Sequence, residues 1–183
     1  MMSRKTIDLT LTALLAALIC VLGPFALPLP MSPVPVSLTT IGIYLAVYVA
    51  GKARATLAVF LYLLLGFVGM PVFSGFSGGP SKLLGPTGGY LIGFLAMAWI
   101  CGCFVDRWWK RRVISTFGML LGTFVAYVCG TLWLAYEAHM TAAQAVVAGV
   151  LPYIGVDLLK IVLLAVVGPY VKRALIRADL IES

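Results

Sequence analysis

Charge is what this sequence lacks. Of its 183 residues only 13 are Lys or Arg and six are Asp or Glu, so 10% are charged against 62% hydrophobic. Soluble domains carry about 25% charged residues and about 45–50% apolar ones. A water-soluble globular fold is therefore excluded, and a mean hydropathy of +1.09 puts membrane class first. Histidine is scarcer still, with His139 alone in a polar connection. One histidine and six acids, mostly in loops, offer no nucleophile–base pair and no metal cluster, which argues against a membrane enzyme acting on lipid. The four cysteines, Cys20, Cys101, Cys103 and Cys129, sit in apolar runs without disulfide or metal-ligand spacing, so they read as small core residues. A phosphate loop is missing too: Gly78–Lys82 (GGPSK) lacks the required spacing, and nothing else supports ATP binding. The net charge of +7 does not imply a nucleic-acid partner, because the basic residues punctuate short loops between apolar runs.

What is present is a succession of apolar runs, and these predict an all-α integral membrane protein. Spans of about 20 residues give six transmembrane helices in one compact bundle, a single membrane domain over 1–183, at approximately 8–27, 37–50, 54–68, 88–105, 113–136 and 152–172. The first follows Arg4 and Lys5 and is read as a retained helix, not a signal peptide, since the apolar run continues through Phe25, Ala26, Leu27 and Leu29. Ala13 and Ala17 make a small-xxx-small pair on it, suited to packing in the bundle or to docking a separate membrane subunit. Pro24, Pro28, Pro30, Pro33 and Pro35 mark an extended connection, since proline lacks the donor a helix interior needs. Ser37, Thr39 and Thr40 open the second span, with capping favoured over a pocket-facing role. Gly51–Arg54 (GKAR) reads as a tight basic turn. The pairs Gly89/Gly93 and Gly118/Gly122 have the spacing of close helix packing. Asp106–Arg112 (DRWWKRR) marks a water–lipid boundary.

Two stretches carry the functional signal. Gly69–Gly89 (GMPVFSGFSGGPSKLLGPTGG) is rich in Gly and Pro yet holds Phe73, Phe76, Leu83 and Leu84. A solvated linker would be more polar, so an ordered loop folding down over the bundle is expected, its glycines letting backbone approach a ligand. Pro152–Leu164 (PYIGVDLLKIVLL) places Asp157 and Lys160 inside the last apolar run. An ionisable group there costs roughly 2.5–3.5 kcal/mol by insertion measurements and marks a functional site by default. Three residues apart, the two share one helix face. They read as the polar floor of a pocket for a small charged or hydrogen-bonding ligand. The alternative is a structural ion pair fixing helix rotation.

Loop charges orient the chain. With six spans, Arg4, Lys5, Lys52, Arg54, Arg107, Lys110, Arg111, Arg112, Lys172, Arg173 and Arg177 fall on one side and only Lys82 on the other. That asymmetry puts both termini in the cytoplasm. The proline-rich connection, the glycine loop and the start of the last helix then share the outer face.

The elements MPVFSGFSGG and LLGPTGGY, followed by PYIGVDLLK, resemble the BioY family, the biotin-specific S components of energy-coupling-factor (ECF) vitamin transporters. The resemblance runs from SPVPVSLTTIG to the last helix. It implies high-affinity biotin capture at the outer face of the bacterial cytoplasmic (inner) membrane by a multi-pass protein that is not an enzyme and needs no cofactor or metal. It implies a biotin site at Asp157 and Lys160, with Ser77 beside Gly78 and Gly79 in the glycine loop, and Tyr90 closing GPTGGY. Phe73, Phe76 and Tyr90 are candidates to cover the biotin bicycle. It also implies that Ala13 and Ala17 face a shared T subunit, which with two ATPase subunits supplies the energy. Biotin, membrane lipid and those subunits are the implied partners, with a homo-oligomer as a further option and no nucleic acid. Two departures stand out. Ser37-Leu38-Thr39-Thr40 replaces a glutamine-containing stretch, and Gly155-Val156-Asp157 replaces PGD. Another vitamin, such as thiamine or riboflavin, is the alternative ligand. A purely structural assembly protein would leave the glycine loop and the buried pair without a role.

Overall fold

In the computed structural model of this chain, residues 4–30, 32–178 and 181 are described, the Arg4 side chain excepted. Among them the chain forms seven helices and one two-stranded ribbon: α1 (Arg4–Leu22), β1 (Ala26–Leu27), β2 (Val36–Ser37), α2 (Thr39–Phe67), α3 (Pro80–Leu84), α4 (Gly88–Trp108), α5 (Arg112–Glu137), α6 (Ala142–Gly149) and α7 (Leu151–Arg177). Five of the helices, α1, α2, α4, α5 and α7, are long and apolar enough to cross a membrane. Their outward faces are apolar as well, with Leu14, Phe60, Phe124, Leu132 and Leu159 exposed, as hydrocarbon-facing helices require.

The first helix stops earlier than its apolar run suggests. Gly23 and Pro24 end it, and Ala26–Leu27 instead pairs antiparallel with Val36–Ser37. The proline-rich connection is thus a hairpin laid across the bundle end. α1 packs through Thr12, Leu15, Ala16 and Ile19 and leaves Ala13 and Ala17 exposed.

α2 is helical on both sides of a sharp reversal. Gly42 lies against Ile19 and Leu22 of α1, while Tyr62 lies against Gly23. Twenty residues of straight helix would separate Gly42 from Tyr62 by about 30 Å, yet their partners, Ile19 and Leu22 on α1 and Gly23 just beyond it, are only about a turn apart. At the far end Arg54 pairs with Asp8 at 2.9 Å. The chain therefore doubles back, and it does so at Gly51, whose φ of 73° and ψ of −178° depart from the helix. Left-handed φ is costly for a residue with a Cβ. A Cβ there would also stand 2.6 Å from Asp106 Oδ1. Asp106 Oδ2 accepts from the Lys52 N–H at 3.1 Å, capping the second helical half from a distance. Hence only Gly51 leaves helical geometry where a four-residue turn was expected.

Small residues bring α4 and α5 together. Cβ atoms on Gly89 and Gly93 would meet Trp133, Cys129 and Ala126 of α5, and those on Gly118 and Gly122 would meet Phe104, Cys101 and Met97 of α4. Both GxxxG pairs thus serve this one interface, where bare backbone lets the axes approach. Buried tyrosines span the core: Tyr44 shares a hydrogen bond with Thr123 at 2.6 Å and Tyr48 donates to Ser115 at 3.1 Å. α6 opens with a capping box between Thr141 and Gln144, which satisfies orphan N–H groups at its start.

The glycine loop packs against the helices through Phe73 and its far end. Phe73 is fully buried, edge-on to Tyr62 with centroids 5.4 Å apart. Its ring occupies the space a side chain at Gly66 would need. Trp133 Nε1 on α5 donates to the Gly85 carbonyl at 3.0 Å and holds the loop's far end.

Candidate ligand-binding site

Asp157 and Lys160 lie in the second and third turns of α7, buried at 9% and 6% exposure. Lys160 Nζ donates to Asp157 Oδ1 at 2.8 Å. It also donates to the Ser37 carbonyl of β2 at 2.7 Å and to Thr40 Oγ1 of α2 at 3.2 Å. An ammonium has three donors, and all three are used. The second carboxylate oxygen, Oδ2, accepts from the Tyr127 hydroxyl of α5 at 2.5 Å. The charged pair on α7 is thus held by three further elements, β2, α2 and α5. This is how a buried pair survives desolvation: every partner is satisfied.

The pair sits in the wall of an open cavity between α4, α5, α7 and the hairpin. Phe94 and Met97 of α4, Ala126 of α5 and Val34–Val36 of the hairpin give it an apolar lining around the polar cluster. The hairpin is pinned above α7 by Tyr153, whose hydroxyl meets the Val34 carbonyl and Ser32 Oγ. A second, smaller cavity adjoins the first, sharing Val34, Pro35, Ser37, Tyr90 and Phe94.

The residues singled out from sequence fall into three groups. Asp157, Lys160 and Tyr90 line the main cavity, with the Tyr90 hydroxyl donating to the Gly149 carbonyl at 2.8 Å. Phe73 lines only the adjoining cavity, which Tyr90 also borders. Ser77, Gly78 and Gly79 line neither and shape the loop instead. Ser77 exchanges backbone bonds with Phe73, and its hydroxyl donates to the Ser74 carbonyl at 2.8 Å. Gly78 lies against the Met70 carbonyl. Gly79, at a φ of 94°, donates its N–H to the Gly66 carbonyl at 2.7 Å. Phe76 is exposed and packs edge-on to Phe25.

One cavity residue escaped the sequence reading, and for another the less favoured alternative holds. Tyr127 resembles any aromatic of an apolar span, yet Thr123, Tyr127 and Thr131 recur every four residues and so form one polar stripe of α5. That stripe was the available signal. Thr40 read as a cap, but its hydroxyl accepts from Lys160. Ser37 does take a cap-like role, accepting from the Thr39 N–H at 3.0 Å.

A description of the BioY family matches residues 1–177 of this chain. The chain belongs to the BioY family. Among its BioY relatives, the biotin transporter BioY2 of Lactococcus lactis is 38% identical over 176 residues, covering 96% of this chain and 95% of the relative. The biotin transporter BioY of Thermotoga maritima is 35% identical over 150 residues, covering 79% and 85%. A crystal structure of the S-component for biotin from an ECF-type ABC transporter superposes with a TM-score of 0.86 at 27% identity, covering 94% of this chain and 95% of that one. With its five spanning-length helices, this BioY chain is a multi-pass membrane protein with the ECF S-component fold. The BioY match takes in every element that builds the cavity.

Proposed function

We propose that this chain captures biotin at the outer face of the bacterial cytoplasmic membrane, as the S component of an ECF-type transporter. The observation that carries this reading is the Asp157–Lys160–Tyr127 cluster in the wall of an apolar cavity, in a chain 38% identical to a biotin transporter. Biotin presents a neutral ureido ring with two N–H donors and a carbonyl, an apolar bicycle and a carboxylate tail. The cavity offers the Asp157 carboxylate and the Tyr127 hydroxyl oxygen to accept from the ureido N–H groups, and Phe94 and Met97 to cover carbon.

Six crossings follow from the reversal at Gly51. A single crossing by α2 would leave Lys52 and Arg54 at mid-membrane, each costing about 2.5–3.5 kcal/mol. With the reversal they join the other basic loops on the side of both termini, the cytoplasm. The hairpin, the glycine loop and the cavity then open outward. Ser77, Gly78 and Gly79 hold the loop over the ligand, and Phe73 anchors it. The exposed Ala13/Ala17 face of α1 receives a T subunit, which two ATPase subunits drive.

Equilibrium binding of labelled biotin to the purified protein tests the ligand. Saturable binding in the nanomolar to low-micromolar range, undisturbed by excess thiamine or riboflavin, is expected. Absence of biotin binding, or displacement by another vitamin, overturns the assignment.

A further inference from the structure

If biotin is the ligand, its two ends must be told apart. The Asp157–Lys160 pair is neutral as a whole, and each Lys160 donor already has an acceptor. The main cavity therefore has no uncompensated cation to offer a carboxylate. An anion placed beside Asp157 would meet repulsion in a desolvated setting.

The adjoining cavity differs. Lys82, on the short helix α3, lines it together with Ser74 and Thr87. Neither an acidic partner nor a hydrogen bond to Nζ is found for Lys82 among the described residues. Taken together the two cavities hold Asp157 at −1, Lys160 at +1 and Lys82 at +1, a net +1. That sum complements a monoanion. The shared wall of Val34, Pro35, Ser37, Tyr90 and Phe94 is apolar but for the Ser37 and Tyr90 hydroxyls, which are occupied by Thr39 and by the Gly149 carbonyl. It suits a bicycle and a methylene chain passing from one cavity to the other.

We infer that Lys82 is the carboxylate-recognising residue: the ureido end of the ligand meets the Asp157 carboxylate, which Lys160 and Tyr127 hold in place, and the carboxylate end meets the Lys82 ammonium. This assignment rests on biotin being the ligand. It makes Lys82 a determinant of specificity for the acid over its neutral derivatives, since a charge-assisted bond needs the anion.

The test compares biotin with biotinamide, which keeps the ureido ring and loses the negative charge. Affinities are measured on the full-length purified wild type and on Lys82→Gln and Lys82→Arg. Wild type is expected to prefer biotin by at least about tenfold. Lys82→Gln should lose at least about tenfold for biotin while binding biotinamide within about twofold of wild type. Lys82→Arg should restore most of the preference. If Lys82→Gln binds biotin as wild type does, or loses both ligands equally, the inference is overturned while the biotin reading stands. A wild type that binds neither ligand overturns the functional reading itself.

Discussion

At the scale of single residues, the decisive feature is that each charge in the cavity is neutralised before a ligand arrives. Removing either partner leaves the other buried and unpaired, a change that costs about 3–5 kcal/mol in comparable pairs. Asp157→Asn and Lys160→Met should therefore lower the thermal midpoint of the detergent-purified protein as well as weaken biotin binding by at least about tenfold. Wild-type affinity in both variants would remove the pair from the site. Tyr127→Phe separates the two effects. It keeps the ring and deletes only the bond to Asp157 Oδ2, a bond to a charged group worth roughly 1.5–3 kcal/mol. Affinity should fall about tenfold or more, and the double variant with Asp157→Asn should lose less than the sum of the single losses, because the two share one interaction. Strict additivity would mean Tyr127 acts elsewhere. Asp157 and Lys160 stood out in the sequence because a charge in an apolar run is costly and marks a candidate site by default. Tyr127 did not, and Thr40 did so only as the less favoured alternative to a cap, because their partners lie 30 and 120 residues away and a hydroxyl in a helix has many innocent uses.

At the scale of elements, glycine decides where the chain turns and small residues decide what can approach. Gly51→Ala must place a side chain at a φ of 73° with its Cβ 2.6 Å from Asp106, and a non-glycine residue in such a region costs about 1–3 kcal/mol. A thermal midpoint lowered by several degrees is expected, and an unchanged midpoint would mean the reversal is built differently. The GxxxG pairs, the basic turn and the glycine loop all announce themselves locally, so their places were readable. The early stop of α1 and the β1–β2 hairpin were not, since two-residue strands carry no periodicity and Ala26–Leu27 simply extends an apolar run. The orientation of α1 also came only with packing. Ala13 and Ala17 point away from the bundle while Ala16 faces it. A bulky Ala13→Trp/Ala17→Trp variant should fail to co-purify a T subunit from native membranes and still bind biotin like wild type. Retained co-purification would place the docking face elsewhere.

At the scale of the whole molecule, the distribution of charge must agree with the path of the chain. The ion pair of Asp8 with Arg54 and the capping of Lys52 by Asp106 gather the start of α1, the reversal of α2 and the end of α4 on one side. The Asp157–Lys160 cluster lies with the hairpin at the other. Single cysteines introduced into a background with Cys20, Cys101, Cys103 and Cys129 replaced can read this arrangement directly. Ser81, Ala53 and Lys110 are all exposed, in the glycine loop, just after the α2 reversal and between α4 and α5. A membrane-impermeant maleimide added to intact cells should label Ser81→Cys only. In inside-out vesicles it should label Ala53→Cys and Lys110→Cys and spare Ser81→Cys. If α2 crossed once without reversing, Ala53 would lie in hydrocarbon and resist the reagent from both sides. If the orientation were inverted, the two sets would exchange. Either result would detach the cavity from the outer solution and leave the Asp157–Lys160 pair without access to an external solute.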